Sequence, residues 1–317
     1  MRERDIAECR KKWAIAVDLG GTWIRAAAVC EDGTIGPIGR RETFASRPHG
    51  SILADVAELV AEAARGLAAR GKVVAGLGIG IATVLDGVRT VPCPTLPTLG
   101  DLDVGDLVLE QIHLPVATAN DAACFAMGEA WMGAGRGCSN VCGLTLGTGI
   151  GLGIVIGGHI HSGSHGFAGE IWRTPTVRDG CLEDHVSGRA IEQHYRSLSG
   201  RELPGAGIAD LATAGDTAAL GAFLAFGRWL GATVAGLVNL LDPELVVLGG
   251  TIAKSYHLFR QPVEEALART TSPQRVRVER SHLGESAALL GAAKLLWDHL
   301  ETGEARLPLE ARRGYAR

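Results

Sequence analysis

A glycine turn set between two runs of strand-forming residues occurs twice in this chain, and each copy opens a stretch in which strands and helices alternate. The first copy, WAIAVDLGGTWIRAAAV from Trp13, places Gly20 and Gly21 between apolar runs, a β-hairpin signal. The second, VCGLTLGTGIGLGIVIGG from Val141, repeats the arrangement around Gly147, Thr148 and Gly149. One unit recurring within 317 residues predicts α/β architecture in two related lobes with a cleft between them. Glycine is abundant, with 44 residues, and many follow β-branched runs, where the backbone must turn sharply or approach a ligand closely.

Periodicity supplies the elements between these hairpins. Apolar residues at helical spacing predict a helix over 51–70, ending before Gly71, and VVAGLGIGIA then reads as a buried strand. A second cycle starts with a short strand, PVATA, and a helix over 121–132. Further helices are expected over 187–197, 216–240, 256–270 and 285–299, with strands at LVVLGG from Leu245 and over 275–280. Residues 203–207 read as a surface loop, and the tail after Thr302 is polar. The lobes divide as a smaller one of residues 1–118 plus 287–317 and a larger one of 119–286.

Composition excludes whole classes. With 46% apolar and 21% charged residues the chain is neither disordered, collagenous nor a coiled coil. A net charge of −4 leaves no cationic field for duplex nucleic acid or an anionic membrane, so the expected partner is a small molecule. No apolar run approaches the roughly 18 residues that a bilayer needs, and the opening MRERDIAECRKKW lacks a signal-peptide core, so a cytoplasmic protein is expected. The seven cysteines are odd in number and scattered in apolar stretches, as buried free thiols are.

Several short motifs carry chemistry. In DLGGT, backbone N–H groups of Gly20 and Gly21 and the Thr22 hydroxyl can surround a phosphate, and Asp18 beside it makes sense if Mg²⁺ lies between the two anions, reached through water. Gly147, Thr148 and Gly149 repeat that cradle, and two such hairpins facing a cleft fit a nucleoside triphosphate. Neither is a Walker loop, because no GK[ST] follows, nor a Rossmann fingerprint, because a strand comes next. A third turn, at Gly249 and Gly250, would let an adenine ring lie against exposed backbone; it also reads as a routine strand-to-helix turn.

Asn120–Asp121 lies between the hairpins, at the end of a strand and the start of a helix. Asp121 is the candidate general base for an acceptor hydroxyl, with N-capping the alternative role. Glu170 and Glu183, in glycine-containing loops, can each accept from two vicinal hydroxyls of a polyhydroxylated ligand. His159, His161 and His165 have no carboxylate or cysteine at ligand spacing and read as loop histidines. Trp131, Trp229 and Trp297 read as packing residues.

DLGGT, ND, LGTGIG followed by GG, AGE, GCLE followed by SG, and VVLGG occur here in the order in which they occur in the ROK family of sugar kinases and sugar-responsive repressors. The chain resembles that family from about Trp13 to Leu296. The resemblance implies an actin-like, ribonuclease H-like fold and an ATP- and Mg²⁺-dependent sugar kinase. It makes Asp121 the base, puts Asn120, Glu170 and Glu183 on the sugar, and gives ATP to the three glycine turns. It also implies a homodimer. The regulatory branch carries a helix-turn-helix before the sugar-binding fold, and no such unit fits the twelve residues before Trp13. A sugar-sensing or non-catalytic sugar-binding protein is the alternative reading.

The chain departs from the family at two places. After AGE the family continues EIGH, whose His touches the sugar and joins three cysteines around zinc. Here Trp172 and Arg173 stand in the Gly and His places and only Cys181 remains, so no structural zinc is expected. Arg173 either reads the acceptor as a donor-only group, or faces solvent or pairs with Asp179 or Glu183. In the first lobe the family's Pro–Gly loop after the central strand is here GIATVLDG, Gly80 to Gly87, and its PNL segment is PTL, with Thr95 in place of the sugar-binding Asn. Both changes argue against assuming plain glucose; an amino sugar such as kanosamine, an N-acetyl hexosamine or a C7 cyclitol are the other expected acceptors.

Overall fold

The structure, a computed structural model, describes residues 11–176, 180–270 and 276–308. Two five-stranded sheets dominate it, and their orders correspond. In the first, β1 (Trp13–Leu19), β2 (Trp23–Cys30), β3 (Gly39–Glu42), β4 (Val74–Ile81) and β7 (Val116–Asn120) lie in the order β3-β2-β1-β4-β7. In the second, β8 (Val141–Leu146), β9 (Ile150–Ile156), β10 (His159–Ile160), β11 (Leu245–Gly249) and β12 (Arg277–Arg280) lie in the order β10-β9-β8-β11-β12. Each sheet pairs an antiparallel hairpin with two parallel strands. The repeated glycine hairpin is therefore the start of a repeated sheet. Between β4 and β7 lies a two-stranded ribbon, β5 (Leu85–Asp86) with β6 (Arg89–Thr90).

Helices cover both faces of each sheet. α1 (His49–Ala68) and α2 (Val104–Ile112) close one face of the first sheet, around Ile15, Val17, Ile52, Leu77 and Val108. α4 (Gly188–Ser199), α5 (Gly205–Thr213), α6 (Thr217–Leu241) and α7 (Tyr256–Leu267) close the outer face of the second, around Phe223, Phe226, Leu230 and Phe259. α3 (Asp121–Met132) and α8 (Ser286–Thr302) lie between the sheets, α3 on β8 and β9 and α8 on β1, β4 and β7. These two helices touch backbone to backbone. A Cβ at Gly291 would lie 1.7 Å from the Cys124 carbonyl oxygen, and one at Gly128 would lie 1.9 Å from that of Ala287.

Glu129, fully buried in α3, fastens this middle layer: its carboxylate accepts from the Ala134 N–H at 2.9 Å, the Leu283 N–H at 3.2 Å and the Ser281 hydroxyl. Beyond α8 the chain returns to β7, where the Arg306 and Val116 backbones exchange two 2.9 Å hydrogen bonds.

Several expectations need adjustment. The segment read as a loop at 203–207 is where α5 begins, after Pro204, and α2 carries no expectation at all. Both are nine-residue helices, too short to build a clear periodic signal. The strand expected over 275–280 is described only over Arg277–Arg280. α6 is long and apolar enough to cross a membrane by length and composition, contrary to the absence of such a run expected above; half of its most apolar window is buried inside the protein. Cys30, Cys124 and Cys142 are buried free thiols, whereas Cys93, Cys138 and Cys181 are only half-buried. Cys9 lies outside the described residues.

Candidate active site

The site grows from the C-terminal ends of β1, β4 and β7, where ligands of open α/β sheets gather. Asp18 in β1 pairs in register with Gly80 in β4, Gly80 pairs with Ala119 in β7, and Asn120 and Asp121 follow directly. Asp18 and Asp121 thus leave the ends of two strands that flank β4, near enough for the charge of one to act on the other. Asn120, not Asp121, caps α3: its Oδ1 accepts from the N–H groups of Ala122 at 2.9 Å and Ala123 at 3.2 Å. Such a cap is worth about 1 kcal/mol. The Asn120 amide donates to the Thr83 carbonyl oxygen at 3.1 Å, which leaves it one free N–H. Asp121 is released from structural duty apart from one 2.9 Å contact with the Ala122 N–H.

Electrostatics sharpen the picture. Burial first, then the negative charges of Asp18 and Glu170, push the Asp121 carboxyl up to about 7. A carboxylate held near neutrality is a competent proton acceptor at physiological pH. Asp18 is raised as well, chiefly by burial, and the Arg25 guanidinium opposes that rise. Arg25 Nη1 donates to Asp18 Oδ2 at 3.0 Å, and its Nη2 lies 3.8 Å from Glu285. Arg25 escapes a motif search, but the hairpin register around Gly20 and Gly21 places it directly opposite Asp18.

The phosphate turns are open on their solvent sides. Thr22 and Thr148 are exposed, and nothing lies within 4 Å of a Cβ built at Gly147. The Gly20 and Gly147 N–H groups, expected to face a phosphate, instead close the turns on the Trp23 and Gly149 carbonyl oxygens, each at 3.0 Å. Asp18 offers the hard oxygen donors that Mg²⁺ takes. Gly249 pairs with Thr145 at the base of the second hairpin, so the third turn adjoins the second. Its two glycines differ: Gly249 is buried beneath the Phe125 ring, and Gly250 is exposed, with φ of +83° and the Leu146 backbone where a side chain would stand. Only Gly250 presents open backbone there.

The residues expected on the acceptor side adjoin the hairpins or Asp121: Thr95 the first turn, Glu183 the second, and Glu170 near enough to raise Asp121. Thr95 packs on Gly21 of the first hairpin, within 2.7 Å of a Cβ built there. Glu170 is half-buried and raised by desolvation, and the Trp172 indole donates to it at 2.5 Å. Glu183 leans on the second hairpin and takes Arg189 as its cation at 3.1 Å. Arg173 does not pair with Glu183; it is exposed, with its guanidinium 5.3 Å above the Trp172 ring. Asp179 lies outside the described residues.

No three His, Cys, Asp or Glu side chains converge on a metal-binding point among the described residues. In the Cys181 loop, Cys181 bonds Asp184 at 3.3 Å, and His185 stacks on Trp229 with ring centroids 4.0 Å apart. His161 and His165 are exposed, and His159 lies 3.9 Å from Asp298. Trp297 is buried against α8's neighbours, and Trp131 is partly buried with it.

With this geometry in place, the sequence matches the family described as ROK over residues 14–299. The chain belongs to the ROK family. A glucokinase of Thermotoga maritima is 30% identical to this ROK protein over 314 residues, covering 90% of this chain and 98% of the relative. An N-acetyl-D-glucosamine kinase of Haemophilus influenzae is 31% identical over 225 residues, 63% of this chain and 70% of that one. Among solved structures, a ROK family glucokinase from Streptomyces griseus in complex with glucose and AMPPNP superimposes with a TM-score of 0.77 at 30% identity. That match covers 89% of this chain and 98% of the other. The ROK protein has the actin-like ATPase fold of these kinases.

Proposed function

We propose that this ROK protein is an ATP-dependent sugar kinase that transfers the γ-phosphoryl group to the primary hydroxyl of a hexose-like acceptor. The observation that carries this reading is Asp121: a half-buried carboxylate at a helix start, unused as a cap, raised to about 7 chiefly by desolvation, and near enough to Asp18 to feel its charge. Similarity to glucokinases and to an N-acetyl-D-glucosamine kinase supports the kinase class; the identity of the acceptor is the finer part of the proposal.

Phosphoryl transfer asks the protein mainly for positioning, charge neutralisation and a proton acceptor. Asp121 takes the hydroxyl proton as the acceptor oxygen attacks, while backbone N–H groups of Gly21, Thr22, Thr148 and Gly149 bind phosphate oxygens. Mg²⁺, when bound beside Asp18 through water, supplies positive charge against the phosphates. Thr95, Asn120, Glu170 and Glu183 orient the acceptor, with the exposed Gly250 turn beside the nucleotide base. Closure of the lobes over both substrates would exclude water and limit hydrolysis.

Thr95 and Trp172–Arg173 alter the acceptor side, so the acceptor set extends from glucose to amino sugars such as kanosamine, N-acetyl hexosamines and C7 cyclitols. The test is MgATP-dependent ADP release against a panel of these compounds, with the Asp121→Asn protein as control. One strong acceptor, silent in the variant, is the expected result. Acceptor binding without turnover across the panel would favour a sugar-sensing protein instead. A homodimer belongs to the same proposal, and light scattering on the eluting protein tests it.

A further inference from the structure

The side chain two positions after Glu170 reaches back to hold it. Residues Ile171–Arg173 form one turn of 3₁₀ helix, and Trp172 Nε1–H donates to Glu170 Oε2 at 2.5 Å. The indole is itself held on two sides. Arg173 lies over its ring at 5.3 Å, and Trp172, with Ile171, packs against the core of the second sheet. The backbone before Glu170 is equally confined: Gly169 has φ of +95°, and a Cβ there would lie 2.2 Å from the Leu152 carbonyl oxygen.

A free glutamate carboxylate turns broadly about its last torsion, and an acceptor binding to it must first order that rotation. A charge-assisted N–H bond from a wedged indole removes this freedom before the acceptor arrives. Arg173 is exposed and takes part through the indole, since its guanidinium stacks on the ring.

We propose that Trp172 is a positioning residue for acceptor binding, its indole N–H fixing the Glu170 carboxylate while Arg173 clamps the indole. This rests on the sugar-kinase reading and on Glu170 facing the acceptor. The acceptor group that meets Glu170 must then be a donor, a hydroxyl or an amine, because an ionised carboxylate only accepts. The contact also gives the two departures from the family's Gly–His pair a joint purpose within the same loop.

A double-mutant cycle over Trp172→Phe and Glu170→Ala tests this, using the strongest acceptor of the panel. Phenylalanine keeps the ring and removes the donor. Trp172→Phe alone should raise the acceptor KM about tenfold or more, with kcat, the ATP KM and Tm nearly unchanged. In the Glu170→Ala background the same change should add less than about twofold, because the group it acts through is gone. Equal effects in both backgrounds, or a parallel rise in the ATP KM, would overturn the role of Trp172 and leave the kinase reading intact. If the parent protein binds acceptors without turning them over, calorimetric affinities give the same cycle. A parent protein that neither binds nor phosphorylates any acceptor would overturn both proposals.

Discussion

The carboxylate of Glu183 fills the space that a side chain on Gly149 would need: a Cβ built at Gly149 lies 2.1 Å from Glu183 Oε2. One contact thus joins the loop proposed for the acceptor to the hairpin proposed for phosphate. Gly149→Ala should therefore displace Glu183 and crowd the phosphate cradle together. We expect KM to rise for both the acceptor and ATP, by about tenfold each, with little change in Tm, as measured by steady-state kinetics and thermal melts. A rise confined to one substrate would show that the contact is not shared.

Asp121→Asn keeps the shape of the site and removes the proton acceptor. General-base catalysis contributes about 10²- to 10⁴-fold, so kcat should fall within that range while the acceptor still binds in calorimetry. Loss of binding with unchanged turnover per bound acceptor would contradict the assigned role.

The raised Asp121 carboxyl sets two pH dependences of opposite sense. The ionised form is the base, so kcat/KM should rise with pH and level off above about 7. Stability runs the other way. In the unfolded chain this carboxyl ionises near 3.8, but the folded protein prefers it protonated up to about 7. Its stabilising contribution is complete below 3.8 and is lost as pH climbs to about 7. At pH above that range Asp121→Asn should melt several degrees higher than the parent protein despite its reduced kcat; differential scanning calorimetry checks this.

Gly291 lets α8 touch the first turn of α3, whose first residue is Asp121. A methyl group there meets the Cys124 carbonyl oxygen, so the helices must part. Gly291→Ala should cost about 1–3 kcal/mol in urea unfolding and lower kcat as well, because the displaced turn carries Asp121. Unchanged kcat at reduced stability would separate the helix contact from the position of the base.

The described residues of the Cys181 loop are held by ring stacking and hydrogen bonds. Bonds between Thr174 and Leu182, the Cys181–Asp184 contacts and the His185–Trp229 stack supply the attachment. Dialysis against a strong chelator should leave Tm and far-ultraviolet circular dichroism unchanged, and elemental analysis should find no stoichiometric zinc. A large fall in Tm on chelation would point to a bound metal.

The sequence by itself determined whatever depends on neighbours along the chain. Both glycine hairpins, the long helices and the position of Asp121 at a helix start are local matters of period, turn chemistry and capping. Even Arg25 was implicit, since the hairpin register sets it opposite Asp18. Repetition of the hairpin likewise announced the two corresponding sheets. Tertiary structure decided which of these groups meet. Glu183 on Gly149, Phe125 beneath Gly249 and the Cys124 carbonyl against Gly291 join residues 34 to 167 positions apart, and no local pattern encodes such pairs. Arg173 shows the difference at short range. Its type left three destinations open; in the fold it is exposed, with its guanidinium over the Trp172 indole. The role of Asn120 as the cap, which leaves Asp121 out of the capping bonds, also depended on the Thr83 carbonyl that holds its amide. Burial then gave Asp121 its raised carboxyl, because desolvation exists only once the chain has folded around it.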